Sequence, residues 1–284
     1  MADMNYITPD NLKDALNFLA CHGEDTEIVA GGTDVMIDLR AGKLEQKKNL
    51  LDIRNLAELK GIDFKDEKLF IGAGVTLTEI NRSDTIKKYA PALVKCSTTF
   101  AGRQIRNRAT IGGNVAHSSP CGDTIPPLVI HEAVALIANK TGEKLIPVEA
   151  IASGPYQSSL SKDSIIVKFI LKPCRANFTD FQKIGRRKEL AVSRMSMAIM
   201  ADKDEQGRIS FIRVSLGACT PIPQRMDEVE QFLMGKIPTQ DLIWDAGKIL
   251  AEKMAGVTGR RASSVYKEPA VQGLFMRILY PVVL

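Results

Sequence analysis

Apolar positions along the chain fall into two spacings that alternate through the first half. Leu12, Leu16 and Leu19 repeat at helical spacing, with Thr8 and Pro9 read as N-cap and first helical residue and Gly23 as the stop. Residues 27–30, Glu27 followed by three apolar side chains, read as a buried strand that leads directly into Gly31 and Gly32. Further strands are predicted at 49–53 and 69–73, with short helical or turn segments between them, an alternating α/β opening. Residues 83–100 carry a helical stripe of Ile86, Tyr89, Ala90, Leu93 and Val94 that Pro91 divides in two. From 100 to 127 the periodicity disappears under Gly, Ser, Thr, Asn and Pro. A long irregular stretch between apolar segments points to function rather than disorder. Strands resume at 133–138, 144–147 and 165–171.

Residues 173–179, with Pro173 and small polar side chains after a strong strand, are the best boundary candidate. Beyond them come strands at 178–183, 196–201 and 209–216, then helices at 228–234, 239–254 and 263–279. The chain is therefore expected to be α+β, with domains at 1–175 and 176–284, the second a small antiparallel sheet with helices.

Composition narrows the function classes. Of 284 residues, 45% are hydrophobic, and 38 Lys plus Arg stand against 33 Asp plus Glu for a net charge of +5. That excess is small, and the densest basic cluster, Arg186-Arg187-Lys188, is short, so nucleic-acid binding is not expected. The cluster is kept only as a weak candidate for an acidic partner or a nucleotide phosphate. The start lacks a signal-peptide layout and no apolar run is long enough to span a bilayer, so a cytoplasmic location is expected. Five scattered cysteines without a C-x-x-C pair and three isolated histidines offer no metal site.

Two glycine pairs carry the chemistry. In Val29-Ala30-Gly31-Gly32-Thr33-Asp34 a strand ends in two glycines, which expose backbone N–H groups and admit the close approach a phosphate needs, with Thr33 as a further donor. The same residues also fit a plain strand-to-helix turn with Asp34 as N-cap. In the second motif, Gly112 and Gly113 are expected to free backbone amides beside the donors Thr110, Asn114 and Ser119. Asp123 is placed either to hold a sugar hydroxyl or to cap a helix over 124–130. Two such loops fit one extended anionic ligand gripped from both sides.

The stretch A-G-G-T-D at 30–34 and T-I-G-G-N-x-A-x-x-S-P-x-G-D at 110–123 resemble the FAD-binding domain of the flavin (medium) subunits of the xanthine, carbon monoxide and nicotinate dehydrogenases, a group of molybdenum hydroxylases with a PCMH-type FAD fold. Leu51-Asp52-Ile53 and the segment 178–198 continue the likeness over essentially the whole chain. The resemblance implies a PCMH-type domain of two α/β subdomains followed by the C-terminal domain. It implies FAD pyrophosphate against Val29, Ala30, Gly31, Gly32, Thr33 and Asp34, with Thr110, Gly113, Asn114, Ser119 and Asp123 completing the grip. Ile165 would border the ring, Val192 would lie near the isoalloxazine, and Lys183 would reach the flavin and stabilise its reduced anion, unless it is a solvated strand-end lysine.

No histidine stands in the first loop, which implies non-covalent FAD. The cysteine sets for [2Fe–2S] clusters and the length for a molybdopterin domain are missing, so an iron–sulfur subunit and a molybdopterin subunit are implied as partners. The expected role is transfer of electrons from those clusters through FAD to NAD+ or another acceptor, with no acid–base catalytic residues. The alternatives are a self-contained FAD-dependent oxidoreductase and a non-catalytic nucleotide-binding subunit. Residues 100–127 and 263–284, with Leu274, Phe275, Ile278, Leu279, Val282 and Val283, are the parts expected nearest a partner interface, unless the terminal helix folds into the chain's own core.

Overall fold

A computed structural model describes residues 4–187, 190–260 and 262–283. The N-terminal part holds two sheets. The first has three parallel strands in the order β1-β3-β2, namely β1 (Asn5–Ile7), β2 (Thr26–Val29) and β3 (Asn49–Asp52). Helix α1 (Leu12–His22) and the short α2 (Val35–Arg40) connect these strands. Helix α1 begins three residues after Pro9, because Asn11 caps it by accepting the Asp14 N–H.

The second sheet is antiparallel, in the order β4-β5-β10-β6-β7. Its strands are β4 (Ile62–Lys65), β5 (Lys68–Gly72), β6 (Val134–Asn139), β7 (Gly142–Pro147) and β10 (Ile165–Leu171), with a small hairpin, β8 (Ala152–Gly154) and β9 (Gln157–Ser158), on the connection. Between β5 and β6 run α3 (Leu77–Arg82), α4 (Asp84–Tyr89), α5 (Pro91–Thr99), α6 (Arg103–Arg106), α7 (Ile111–Ala116) and α8 (Ile125–Ile130). A capping box of Thr76 and Glu79 starts α3, and Pro91 opens α5 where the stripe was expected to divide. The irregular stretch 100–127 thus contains short helices whose Ile111, Val115 and Ile125 enter the main core.

Four antiparallel strands follow: β11 (Phe178–Gly185), β12 (Ser193–Lys203), β13 (Ile209–Gly217) and β14 (Gln224–Arg225). Strand β12 is buried on both faces. Met195, Met197, Ile199 and Ala201 pack among the C-terminal helices α9 (Asp227–Leu233), α10 (Gln240–Thr258) and α11 (Ser264–Val283), while Ala198 and Met200 pack against Ala92, Cys96 and Ile130 of the N-terminal part. The sheet is therefore a shared wall between the two halves. Leu274, Phe275, Ile278, Leu279 and Val282 of α11 close the C-terminal core, each burial worth about 1.5–3 kcal/mol. Those five residues belong to the chain's own interior, so α11 takes the second of its two expected placements. Among the described residues no helix is long and apolar enough to cross a membrane.

Candidate functional site

Strands β2 and β3 run parallel, with Val29 paired to Asp52, so both release the chain at the same edge of the sheet. The crevice beyond the carboxyl ends of such strands is where α/β sheets bind ligands. A cleft of about 550 Å³ opens there, between the first sheet and the second. That size lies within the range of small-molecule and cofactor sites. Its walls are the loop 30–35 after β2, residues 53–60 after β3, residues 107–114 around the start of α7, and the segment before β10.

Ala30, Gly31, Gly32, Thr33 and Asp34 all line the cleft, and Val29 lies buried beneath them. Among the described residues, the N–H groups of Gly31, Gly32, Thr33 and Asp34 make no hydrogen bond. Four successive unpaired donors facing a cleft can receive an anion. Gly32 has φ of +73°, a conformation that glycine adopts without strain. Gly31 is needed for a different reason: a Cβ there would stand 2.1 Å from the carbonyl oxygen of Arg108, so the two loops touch backbone to backbone. Asp34 occupies the N-cap position of α2 without its side chain accepting a cap bond, and lies 3.8 Å from His117 Nε2.

The second loop differs from its expected form. The Gly112 N–H donates to the Ala73 carbonyl at 2.8 Å, the Gly113 N–H to Thr110 Oγ1 at 3.1 Å, and the Asn114 N–H to the Thr110 carbonyl at 3.0 Å. These glycines do not free amides. Gly112 allows close packing, since a Cβ would lie 2.6 Å from that of Ala73. What this loop offers the cleft is the Thr110 hydroxyl and the Asn114 amide, both in its lining with Gly113. Ile165 lines it from the opposite side.

Ser119, Asp123, Lys183 and Val192 stand outside this lining. Ser119 Oγ accepts the Cys121 N–H, and Val192 is exposed. Asp123 and Lys183 form a buried ion pair, Nζ to Oδ2 at 2.8 Å, across the junction between the two halves of the chain. Lys183 also donates to the Ala191 carbonyl, and Ser193 Oγ donates to Asp123 Oδ1 at 2.5 Å. Both carboxylate oxygens are thus engaged within the protein, so Asp123 neither caps α8, whose N-cap is Thr124, nor stands open to a sugar. Burial pushes its carboxyl above the ordinary value, and the Lys183 ammonium and Ser193 hydroxyl oppose that rise. Lys183 is no solvated strand-end lysine. Of the basic cluster Arg186-Arg187-Lys188, Lys188 lies outside the described residues.

Several lining residues escaped the sequence reading. Arg54, Lys60 and Arg108, with Lys47 and Lys162, set five cations against the two acids Glu27 and Asp34, which favours an anionic ligand. Arg54 is held by the Asp52 carboxylate through its Nε and Nη2, and Tyr6 accepts from it at 3.1 Å. Burial would raise the Asp52 carboxyl, but its bonds from Arg54 and Tyr6 outweigh that and hold it low. Lys60 Nζ donates to the Gly74 carbonyl at 2.9 Å. Phe100 lines the cleft beside Ala101, whose φ is +36°, in a turn fixed by Arg106 donating to both carbonyls. The spacing Asp52-x-Arg54 at a strand end was the one available signal for Arg54. Among the described residues no group of three His, Cys, Asp or Glu could hold a metal ion.

The family described as the FAD-binding domain in molybdopterin dehydrogenase matches residues 2–172, and the CO dehydrogenase flavoprotein C-terminal domain matches residues 180–282. A putative xanthine dehydrogenase FAD-binding subunit of Escherichia coli is 29% identical over 279 residues, covering 97% of this chain and 94% of the relative. The nicotinate dehydrogenase FAD-subunit of Eubacterium barkeri is 27% identical over 283 residues, covering 98% and 95%. Carbon monoxide dehydrogenase from Hydrogenophaga pseudoflava has a chain of the same fold, with TM-score 0.89 at 24% identity over 98% of this chain and 96% of that one. Quinoline 2-oxidoreductase from Pseudomonas putida 86 has another, with TM-score 0.91 at 24% identity over 99% and 96%.

Proposed function

The chain belongs to the FAD-binding subunits of the molybdopterin dehydrogenases, and from that membership we propose that it holds one FAD non-covalently in the cleft beyond β2 and β3. The observation that carries the placement is the row of unpaired N–H groups from Gly31 to Asp34, facing a cleft with an excess of cations. These four donors, with the Thr33 hydroxyl, take the pyrophosphate. Arg54, Lys60 and Arg108 offset its charge, while Thr110, Gly113 and Asn114 close on it from the other wall. Ile165 and its neighbour Ile166 give an apolar border for the ring. Asp123 and Lys183 act from behind this wall, fixing the C-terminal sheet against it, and Lys183 brings its charge to the ring side of the site with Ser119 and Val192 at the rim. The domain boundary is placed at 175/176.

When bound, FAD supplies the exchange between single electrons arriving from [2Fe–2S] clusters and a hydride leaving to NAD+ or another acceptor. The chain binds and orients the ring and shields one side of it. The iron–sulfur and molybdopterin centres sit on partner subunits, and the assembly is cytoplasmic. The relatives' names support this reading, being those of single subunits of xanthine and nicotinate dehydrogenases. Anaerobic addition of NADH to the flavin-loaded full chain tests the acceptor. Bleaching of the flavin absorbance is expected; a flavin bleached by dithionite but not by NADH overturns the assignment of NAD+.

A further inference from the structure

The amide of Asn114 is held from behind by a residue that does not line the cleft. Thr124 is fully buried, and its hydroxyl donates to Asn114 Oδ1 at 2.6 Å while its backbone N–H approaches the same oxygen at 3.4 Å. A backbone N–H can only donate, so the atom that faces it must be the amide oxygen, and this settles which way round the amide stands. The opposite end, Nδ2 with its two N–H donors, has no acceptor among the described residues. Asn114 itself lines the cleft.

The consequence depends on the rest of the loop. The N–H groups of Gly112, Gly113 and Asn114 are all consumed internally. The amide is therefore the loop's main remaining donor beside the Thr110 hydroxyl. The turn that leads into Thr124 is tied down at Asp123, which bonds to Lys183 and Ser193 of the C-terminal half.

We propose that Thr124 is a positioning residue of the cofactor site: it locks the Asn114 amide so that this wall presents N–H donors, never the carbonyl oxygen, to an oxygen of bound FAD. The proposal rests on the reading of the cleft as the FAD site. Without the Thr124 hydroxyl only the long contact from its backbone N–H, 3.4 Å, opposes rotation, so the amide turns over more readily, and a carbonyl facing a phosphate or carbonyl oxygen repels it.

Flavin fluorescence quenching on the full chain, stripped of flavin and titrated with FAD, tests this. Thr124→Val keeps the shape and loses the hydroxyl, so affinity should fall about tenfold, the size of one buried hydrogen bond, and Thr124→Ser should restore it to within about twofold. In an Asn114→Ala background, Thr124→Val should cost nothing further. Asn114→Asp keeps the acceptor toward Thr124 but turns an oxygen to the ligand, so it should bind more weakly than Asn114→Ala; this comparison stands even where Thr124→Val does not fold. Wild-type affinity in Thr124→Val, equal effects in both backgrounds, or Asn114→Asp binding better than Asn114→Ala overturns the proposal alone. A wild-type chain that does not bind FAD overturns the cleft reading and the proposal with it.

Discussion

Replacing Lys183 by Met should destabilise the protein before it alters any property of the flavin. The Lys183 and Asp123 side chains are only 10% and 6% exposed, and among the described residues the ammonium is the one cation bonded to that carboxylate. Removing it strands a buried negative charge, which costs about 3–5 kcal/mol, whereas replacing both partners by apolar residues is often close to neutral. Urea unfolding followed by far-ultraviolet circular dichroism should show Lys183→Met lowered by that amount, and Asp123→Leu/Lys183→Met recovering most of it. The residue left over, about 1 kcal/mol, reflects Ser193, whose hydroxyl loses its acceptor. The loss should shrink as the pH is lowered. Burial already raises the Asp123 carboxyl, and without Lys183 it rises further, so the folded variant takes up a proton before the unfolded chain does and regains stability. A Lys183→Met protein within about 0.5 kcal/mol of wild type would refute the argument, because a mutation that strands a buried charge cannot be that mild.

Gly31→Ala should weaken FAD binding by about 10- to 100-fold, since its Cβ would stand 2.1 Å from the Arg108 carbonyl and a forced separation of the loops costs about 1–3 kcal/mol. Gly273→Ala, with nothing within 4 Å of its Cβ, should bind as wild type in the same titration; equal behaviour of the two would remove the loop contact from the account. His131, fully buried, has its pKa lowered to about 4 by burial, against which the Lys172 carbonyl acts. Between pH 6.5 and about 4 the unfolded chain binds a proton that the folded chain does not, so stability falls with falling pH by about 3 kcal/mol over the window. His131→Asn should flatten that slope in unfolding curves at pH 5 and 7.5, and an unchanged slope would assign the acid sensitivity elsewhere.

What the sequence made legible was set by the range of the interactions involved. The strand over Ile165–Leu171 and the division of the helical stripe at Pro91 rest on neighbouring residues, and each stands where local pattern placed it. Strands β1 and β4 carry only three and four residues, too few for the alternation in Ile62-Asp63-Phe64-Lys65 to stand out as a strand. The first glycine loop was readable because its donors are exposed by the chain's own turn. The second was not, because the acceptor that consumes the Gly112 N–H is Ala73, brought near only by folding. Asp123, from its place in the second motif, and Lys183, from the family likeness, were each expected to reach the ligand, but their pairing with one another spans 60 positions and joins two halves of the chain. Arg54, Lys60 and Arg108 were given no role because cations look alike in sequence until a cleft gathers them.

The central claim, that this chain is the seat of one dissociable FAD, is tested most directly by flavin stoichiometry. The protein, purified with whatever subunits accompany it, is precipitated with acid, and flavin is measured in supernatant and pellet against the amount of this chain. About one FAD per chain in the supernatant, as intact dinucleotide, is the predicted result. Flavin retained in the pellet, or a supernatant that holds none from a protein shown to be folded, would contradict it.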